Sequence, residues 1–578
     1  MNSPLVLVFP PHWYYTAVPA DLLYTGSFLR GRGVDVRCLD LSAGAQAALL
    51  GGEPGWQAFR NRNTYTAPAA YRAANQQLWQ AFGRLSQRFG VRYDGYGLAF
   101  PGVDEGHLPA ALEVGLDPAR NPVLGYLRDR AVPAILDGDP ALVAVALCHP
   151  DQLVQVSVLG RLLRQAGYRG ALVIYGSHED VVAPEDLADD LIAAPVGEPT
   201  HRLFDDYDGA ILGEAETPLL ALWDCVHGRR AHADVPGLLA PRWGVAGRPA
   251  PRPGEDLRAL PPLDPALVSP DVYPFPAPLI DLRLSRGCPW NRCTFCAITA
   301  HQAGYRARPV AAAVRDLADA HRALGTAFFR FRDDLLTPRQ LRELAAALAE
   351  LAFRPRWTAR ARFEANLTRD TLAAAAAAGL EELWLGLESA SARVRERMDK
   401  GVSQPDIERV LRDAGELGIR VRILCMIGYP SETADEISGT FAFLQRHMFR
   451  MASASLSPFQ LMRATPLYRD PAGHGLRLVD DPVPRHERLR FSAQAAADDL
   501  LPTDEVHRLI EDGKARLNGW LRGGWEGPSL AHAWIRASVE RAGWPGSAGD
   551  QAGAGPELER RPPAERDLLQ IGRRRLDG

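Results

Sequence analysis

Cysteine is scarce in this chain: seven are scattered over 578 residues. An odd number at such wide spacing excludes a disulfide framework. Long apolar runs are missing too, since no stretch reaches eighteen uninterrupted apolar residues. The first residues, MNSPLVLVFPP, have neither the basic stretch nor the cleavage site of a secretory signal. We therefore expect a cytoplasmic protein with no membrane partner.

A charge excess of either sign is also absent. The net charge is −4, from 66 Lys and Arg against 70 Asp and Glu. This balance excludes a dedicated polyanion binder, so no nucleic-acid partner is expected. A hydrophobic content of 46% with 24% charged residues is typical of a globular protein. The length predicts two or three domains.

Residues 1–230 alternate short apolar strands with amphipathic helices. The clearest strands are LVLVF (5–9), ALVAVALC (141–148) and GALVIYG (170–176). This alternation predicts a doubly wound, Rossmann-like α/β domain with a parallel sheet covered on both faces. We interpret residues 42–138, which break the rhythm, as an insertion after the second strand. The proline-rich residues 231–279 predict a semi-rigid linker.

A second series of strands and helices occupies residues 280–465. Six strand–helix units predict a partial (β/α)6 barrel, which places its chemistry at the carboxyl ends of the strands. Thr337 and Thr433 begin capping-box patterns that mark two helix starts. We expect residues 466–540 to form a helical region and residues 541–578 to form a disordered tail.

Three of the seven cysteines lie within nine positions, in GCPWNRCTFC. Cys288, Cys293 and Cys296 follow the first strand of the predicted barrel. Three thiolates can hold an iron–sulfur cluster that normally takes four protein ligands, which leaves one iron open to a substrate or cofactor. The alternative is zinc, with His301 completing a closed Cys3His site. Zinc sites of this kind usually form small self-standing folds. The position of the three cysteines after a barrel strand therefore favours an iron–sulfur cluster over zinc.

Five motifs in order give residues 280–465 a resemblance to the radical S-adenosylmethionine (SAM) superfamily. They are the cysteine stretch, FFRFRDD (328–334), LWLGLESAS (383–391), MDKG (398–401) and MIGYPSET (426–433). The resemblance implies a [4Fe–4S] cluster on the three cysteines, whose open iron chelates SAM. It implies reductive cleavage of SAM to a 5′-deoxyadenosyl radical, with an electron donor such as flavodoxin or ferredoxin. One departure is the C-x4-C-x2-C spacing, because C-x3-C-x2-C is the commonest in this family.

The resemblance also assigns roles to residues around the cluster. It places Phe295 near the adenine and Asp333 and Asp334 in the region that contacts the SAM amino group. Glu388 resembles the carboxylate on the fourth strand that contacts SAM, and a cap at the end of the strand is the alternative.

Three further positions have two interpretations each. Arg360 and Arg362 alternate on the third strand and could face the barrel lumen, where they would hold the SAM carboxylate or an acidic substrate. Structural ion pairs are the alternative for both. Gly428 would permit close approach of the adenine or serve as a plain turn glycine. Cys425 is predicted to be a small core residue.

The front domain resembles the cobalamin-binding domain of the class B radical SAM methylases. The resemblance rests on VFPP (8–11), VIYGSH (173–178) and ILGEAETPLL (211–220). It implies that Gly176, Ser177 and His178 approach the corrin and its nucleotide tail. No D-x-H-x-x-G stretch, the source of the lower axial histidine in many cobalamin proteins, occurs in the chain. The alternative is a domain that has lost its ligand and serves as a scaffold.

Together these features predict a cobalamin-dependent radical SAM methyltransferase. Its substrate would be an unactivated carbon in a small-molecule natural product or a peptide. One alternative is a cobalamin-independent radical SAM rearrangement, cyclisation or epimerisation, and another is a non-catalytic zinc-binding scaffold. Methylthiolation is disfavoured because the N-terminal cysteines, Cys38, Cys148 and Cys225, are widely spaced.

Overall fold

Two parallel sheets organise the chain. The computed structural model describes residues 3–11, 17–93, 97–176, 190–191, 201–247, 249, 254–298, 304–463, 465–489, 492–497, 500–517, 522–523 and 528–545. Within these residues, no helix is both long and apolar enough to cross a bilayer.

The front sheet has six strands in the order β2-β1-β3-β4-β5-β6. They are β1 (Leu5–Phe9), β2 (Val36–Asp40), β3 (Leu142–Ala146), β4 (Ala171–Tyr175), β5 (Gly209–Ile211) and β6 (Leu238–Leu239). The first five run parallel and β6 is antiparallel to β5. The strand order reverses between β1 and β3, where doubly wound sheets bind ligands at their carboxyl edge. The predicted doubly wound domain is confirmed.

Helices cover this sheet and fill the insertion. They are α1 (Ala20–Arg30), α2 (Leu41–Leu50), α3 (Pro54–Phe59), α4 (Arg62–Thr66), α5 (Pro68–Phe89), α6 (Leu108–Leu116), α7 (Leu124–Tyr126), α8 (Val132–Leu136), α9 (Leu153–Gln165) and α10 (Glu216–Val226). The predicted insertion therefore consists mainly of helices α2 to α8, with a short antiparallel ladder between Arg92–Tyr93 and Leu98–Ala99. The strand–helix alternation also predicts a helix near residues 184–194, and this range lies mostly outside the described residues.

The segment predicted as a linker is part of the folded structure. Its strand β6 belongs to the front sheet, so the boundary at residue 230 is too early. Tyr273 donates a 2.6 Å hydrogen bond to Asp40 of the front domain. The Leu263 amide donates to Asp316 of the barrel at 2.9 Å. The prolines thus shape a segment that packs against both domains, and the prediction of a semi-rigid spacer is wrong.

The second sheet has seven parallel strands in chain order. They are β7 (Ile280–Leu282), β8 (Phe328–Phe331), β9 (Arg356–Ala361), β10 (Leu380–Glu388), β11 (Arg420–Ile427), β12 (Ser453–Pro458) and β13 (Arg522–Gly523). The first six are the predicted strands of the partial barrel. The sequence does not reveal β13, because a two-residue Arg-Gly strand carries no apolar pattern.

Helices follow the barrel strands and continue beyond them to Ala542. They are α11 (Val310–Leu324), α12 (Pro338–Ala349), α13 (Arg369–Ala377), α14 (Ala392–Arg397), α15 (Gln404–Glu416), α16 (Ala434–His447), α17 (Pro466–Arg469), α18 (Thr503–Arg516) and α19 (Pro528–Ala542). Thr337 with Gln340, and Thr433 with Glu436, form the two predicted capping boxes. These caps satisfy backbone amides that the first turn of each helix leaves unpaired.

The region after the barrel is only partly helical, so the prediction of a helical region over 466–540 needs correction. Two short antiparallel ladders precede α18. They join Leu461–Met462 to Ser492–Ala493, and Arg477–Leu478 to Ala495–Ala496. Strands of two residues are too short to produce a sequence alternation. Helix α19 runs to Ala542, and the predicted tail beyond residue 545 lies outside the described residues.

Helix α19 lies across the amino ends of the barrel strands. Trp534 donates a 3.1 Å hydrogen bond from its indole to Glu381 at the start of β10. The first residue of β9, Arg356, donates to the Ser538 hydroxyl at 3.0 Å. The same helix reaches the insertion, where His532 lies 2.7 Å from the Tyr65 hydroxyl. One end of the barrel is thereby covered.

Candidate functional site

The cysteines lie on one loop beside the carboxyl end of β7. Two short strands, Ser285–Arg286 and Arg306–Ala307, pair antiparallel and join the two ends of that loop. We call this pairing the base ladder, and the enclosed residues 287–305 the cysteine loop. The loop carries three free, half-buried thiols, on Cys288, Cys293 and Cys296.

The donor set of the cysteine loop fits an iron–sulfur cluster, because soft thiolate ligands select iron–sulfur clusters, copper(I) or zinc. Burial raises the pKa of Cys296 to about 12, so a bound metal would have to displace the thiol protons. Burial also raises the pKa of Cys293, and nearby Lys400 and Arg362 oppose that shift. Within the described ranges, no three His, Cys, Asp or Glu side chains are already gathered as a metal-ligand set. His301, the alternative zinc ligand, lies outside the described residues.

The longer segment between Cys288 and Cys293 contains a left-handed turn. Asn291 has a φ of 50°, in the region that asparagine tolerates better than most residues. Its neighbour Trp290 donates an indole hydrogen bond to the Asp399 carbonyl at 2.8 Å. The Arg362 guanidinium lies 4.0 Å from the centroid of the Trp290 ring. The segment between Cys288 and Cys293 is therefore bound to the MDKG segment.

The CTFC part of the loop joins two other motifs. The Thr294 amide donates to the Met398 carbonyl at 3.0 Å, and the Thr294 hydroxyl lies 2.9 Å from the Tyr429 hydroxyl. Phe295 packs against the apolar cluster that contains Met398 and Tyr429. The Lys400 ammonium lies 5.8 Å from the Phe295 ring centroid. Phe295 thus lies where the cysteine loop, MDKG and IGYP meet, and its contact with the adenine stays a prediction.

Glu388 ends β10 and forms a buried ion pair. Its φ of 63° follows a shift in strand register between Gly386 and Glu388. Lys400 of MDKG donates to Glu388 Oε1 at 2.7 Å. Burial alone would lower the pKa of Lys400, but the Glu388 carboxylate and the Cys293 thiolate together outweigh it, and the pKa is raised. We did not single out Lys400 from the sequence, although its motif was among those matched.

Arg362 is also bound to the MDKG segment. It donates to the Lys400 carbonyl at 2.7 Å and to the Gly401 carbonyl at 3.3 Å. Arg360, two residues earlier in the chain, is half-buried. Its guanidinium lies 5.3 Å from the centroid of the Trp384 ring on β10. The two arginines therefore have different surroundings, and SAM or substrate contacts remain predictions for both.

A charged layer lies below Arg360 in the barrel. The Trp384 indole donates to Glu382 at 2.8 Å, and Arg422 donates to the same carboxylate at 3.1 Å. Burial alone would raise the pKa of Glu382, but Arg422 and Arg420 outweigh it and hold the pKa below its usual value. Arg330 and Asp281 form a second pair with two contacts of 2.7 Å. The sequence does not indicate the two ion pairs, because each joins residues of neighbouring strands.

The two aspartates after β8 have different environments. Asp333 is fully buried and accepts hydrogen bonds from the Leu284 amide at 3.0 Å and the Ser285 hydroxyl at 2.6 Å. Burial raises its pKa to about 6. This side chain holds the backbone before the cysteine loop, an arrangement that does not support the predicted contact with the SAM amino group. Asp334 is half-buried, and its SAM contact stays a prediction.

Gly428 has a structural requirement for glycine. Its φ is 81°, and an added Cβ would lie 2.6 Å from Val506 on α18. Its amide donates to Glu432 at 2.8 Å, and Ser389 donates to the same carboxylate at 2.8 Å. The approach of an adenine to Gly428 stays a prediction.

Cys425 is buried in β11, and burial raises its pKa well above the usual value, as expected of a core residue.

The carboxyl edge of the front sheet meets the base ladder. Gly176 follows β4, and its amide donates to the Ile211 carbonyl at 3.2 Å. The predicted partners Ser177 and His178 lie outside the described residues. After β5, Glu214 and Glu216 contact Arg286 at 3.1 and 2.5 Å. The GEAE stretch was part of the front-domain resemblance, but these acidic residues were not singled out.

Comparison with known proteins supports the assignment of the barrel. Residues 282–444 match the family model of the radical SAM superfamily. An uncharacterized methyltransferase, PH0819, of Pyrococcus horikoshii is 27% identical over 247 residues, which are 41% of this chain. The chain covers 53% of that relative, about half its length.

Two solved structures share the fold of nearly the whole chain. The radical SAM methyltransferase TsrM from Kitasatospora setae, solved with cobalamin and a [4Fe–4S] cluster, has a TM-score of 0.56 at 16% identity, and the match covers 94% of this chain and 99% of that one. The cobalamin-dependent SAM radical enzyme OxsB, solved with aqua-cobalamin and SAM, has a TM-score of 0.59 at 13% identity. That match covers 93% of this chain and 71% of OxsB.

Residues 282–444 are a radical SAM domain, and the predicted superfamily is confirmed. The matched residues share a two-part fold with TsrM and with the matched part of OxsB, with a doubly wound domain ahead of the barrel. At these identities the likeness is one of fold.

Proposed function

We propose that the protein is a cobalamin-dependent radical SAM methyltransferase acting on an unactivated carbon. The observation that carries this proposal is the meeting of two ligand-binding edges. Glu216, just beyond β5 of the front sheet, lies 2.5 Å from Arg286, just beyond β7 of the barrel. Parallel α/β sheets and barrels bind ligands at the carboxyl ends of their strands. A group held by the front sheet would therefore face one held by the barrel.

The cysteine loop is the proposed cluster site. Cys288, Cys293 and Cys296 would hold a [4Fe–4S] cluster and leave one iron for SAM. When bound, the cluster would supply the electron that cleaves SAM, and the cobalamin would carry the transferred methyl group. An electron donor such as flavodoxin or ferredoxin belongs to the same proposal.

The chain's own residues would bind and orient SAM around the cluster. Phe295 offers an apolar wall, and the Glu388–Lys400 pair fixes the end of β10 beside it. Arg360 is the half-buried cation at the barrel mouth and would take a carboxylate. Buried residues on either side of the bound SAM would keep water away from the reactive radical.

The front domain is the proposed cobalamin site. Its strand order reverses between β1 and β3, and Gly176 follows β4 at the same edge. The relatives of the same architecture support this part, since TsrM and OxsB have been solved with cobalamin. TsrM has also been solved with tryptophan as substrate, which supports a small-molecule or peptide substrate of natural-product type. A cytoplasmic location belongs to the proposal, because thiols stay reduced there.

Anaerobic reconstitution tests the proposal. The full chain is incubated with iron and sulfide, with and without hydroxocobalamin, and its visible spectrum is recorded after gel filtration. We expect the broad brown absorbance of a cluster in both samples and corrin bands in the second. A cluster without corrin would favour a cobalamin-independent radical SAM reaction, and a colourless protein containing zinc would overturn the proposal.

A further inference from the structure

Two arginines oppose each other at the base of the cysteine loop. Arg286 and Arg306 are direct partners in the antiparallel base ladder. Like charges directly opposite each other destabilise a strand pair. The ladder has only two residue pairs, and so short a pairing is not stable by itself. Other groups must therefore hold it together.

Glu214 of the front domain supplies the missing negative charge to both strands. One of its oxygens lies 3.1 Å from Arg286 Nη1 and accepts from Arg306 Nη1 at 3.0 Å. Its other oxygen accepts from Arg306 Nη2. Glu216 adds a 2.5 Å contact with Arg286, whose side chain is 2% exposed. At such burial an uncompensated charge would be strongly destabilising.

A third carboxylate completes this network. The Glu255 amide donates to Glu214 at 2.6 Å, and the Glu255 carbonyl accepts from Arg306 at 2.7 Å. The Glu255 side chain accepts from the amide and hydroxyl of Thr217 at 3.0 and 2.6 Å. Thr217 lies in the first turn of α10, where a helix favours negative charge. The Glu255 carboxylate therefore has Thr217 as its own hydrogen-bond partner.

The barrel holds the loop from the other side. Asp333 accepts hydrogen bonds from the amide of Leu284, immediately before the ladder, and from the amide of Ser285, the first residue of the ladder. Gly287 has a φ of 85°, and an added Cβ would lie 2.8 Å from the Gly304 carbonyl. The two ends of the loop thus approach closely. Asp333 accepts hydrogen bonds from the first strand of the ladder, whereas Glu214 contacts both strands.

We propose that Glu214 is a positioning residue for the cluster: from the front domain, it keeps the base of the cysteine loop closed in the barrel. Cys288 lies two residues beyond Arg286, so a shift of the ladder moves the first of the three thiols. Ligands keep their geometry only when the residues behind them are fixed. The inference rests on the proposed cluster, and it holds whether or not the front domain binds cobalamin.

Hydrogen exchange in the full chain tests this role without any bound cofactor. Glu214→Gln keeps the shape of the side chain but leaves the two arginines facing a neutral group. We expect amides of residues 285–298 to exchange at least about tenfold faster than in the unsubstituted protein. The variant should also lose a larger share of its iron during anaerobic gel filtration after reconstitution.

A matched control separates this effect from general loss of stability. Asp190 of the front domain pairs with Arg463, beyond the last predicted barrel strand, at 2.7 Å, and both side chains are buried. Asp190→Asn therefore breaks another buried contact between the domains, and we expect exchange in residues 285–298 to stay near that of the unsubstituted protein. Equal acceleration in both variants, or none in Glu214→Gln, would overturn the inference.

Rescue provides a second criterion. In the double variant Glu214→Gln/Arg306→Gln one of the two opposed charges is gone, so exchange should slow again relative to the single variant. No recovery would contradict a role through charge. If Glu214→Gln does not fold, Glu214→Asp takes its place, because a shorter carboxylate cannot reach both strands. A chain that binds no cobalamin but shows these exchange differences would refute only the proposed cobalamin site.

Discussion

Lys400 Nζ lies 2.7 Å from Glu388 Oε1, and both side chains are buried. The pair links the end of β10 to MDKG, whose carbonyls also accept from Arg362. An ionic contact therefore joins the two segments that lie beside Phe295. The arrangement makes the pair a structural element of the barrel mouth as well as a predicted contact region for SAM.

Removal of the Lys400 charge should destabilise the protein strongly. Lys400→Met leaves Glu388 as a buried carboxylate without its cation, which costs about 3–5 kcal/mol. Chemical unfolding measures this loss, and SAM titration of the reconstituted protein should show weaker binding. The double variant Lys400→Met/Glu388→Gln should recover part of the stability. The exposed pair Arg339–Glu343 is the control, and Arg339→Met should change neither quantity measurably. Full stability of Lys400→Met would contradict a buried ionic contact.

Acid should loosen the contact between α19 and the insertion. His532 is fully buried, its ring stacks on Phe59 at 3.8 Å, and burial lowers its pKa to about 3. The unfolded chain binds a proton on this histidine below about pH 6.5, whereas the folded chain does so only near pH 3. Stability therefore falls as the pH drops through that window, by about 2 kcal/mol at pH 5.

Replacement of that histidine checks the assignment. His532→Phe retains an aromatic ring against Phe59 and cannot take up a proton. The unfolding midpoint of the variant should vary less between pH 7 and pH 5 than that of the unsubstituted protein. An unchanged pH dependence would show that other groups cause the acid sensitivity.

The turn at Asn291 should tolerate glycine and resist β-branched residues. A left-handed backbone costs a β-branched side chain about 1–2 kcal/mol more than it costs glycine. Asn291→Gly should therefore reconstitute a cluster as well as the unsubstituted chain, and Asn291→Val should hold less iron. Iron analysis after gel filtration compares the two variants. Equal iron in both would show that the left-handed turn at Asn291 does not position the cluster ligands.

The sequence predicts features that depend on nearby residues. The capping boxes at Thr337 and Thr433 form as expected, because a cap involves residues three positions apart. The six barrel strands are recognisable because buried parallel strands are continuous apolar runs. The cysteine spacing predicts the loop for the same reason, since all its thiols are close in the chain.

Partners from distant segments could not be predicted. Glu214 and Arg306 are 92 positions apart, and Trp534 and Glu381 are 153 apart. Their contacts depend on how whole domains pack, which no local pattern encodes. The sequence does not indicate strand β6, because Leu238–Leu239 is only two residues long and lies among prolines. The sequence places Asp333 after β8 but does not give the direction of its side chain, which accepts hydrogen bonds from the Leu284 and Ser285 amides.

The central claim is that Cys288, Cys293 and Cys296 hold a cluster with one iron open to SAM. Electron paramagnetic resonance of the reconstituted and reduced protein, recorded before and after addition of SAM, tests it most directly. We predict about four iron ions per chain and a cluster signal that changes when SAM binds. Cys293→Ala should lose that signal. A protein that holds zinc, or a cluster signal that SAM leaves unchanged, would contradict the account.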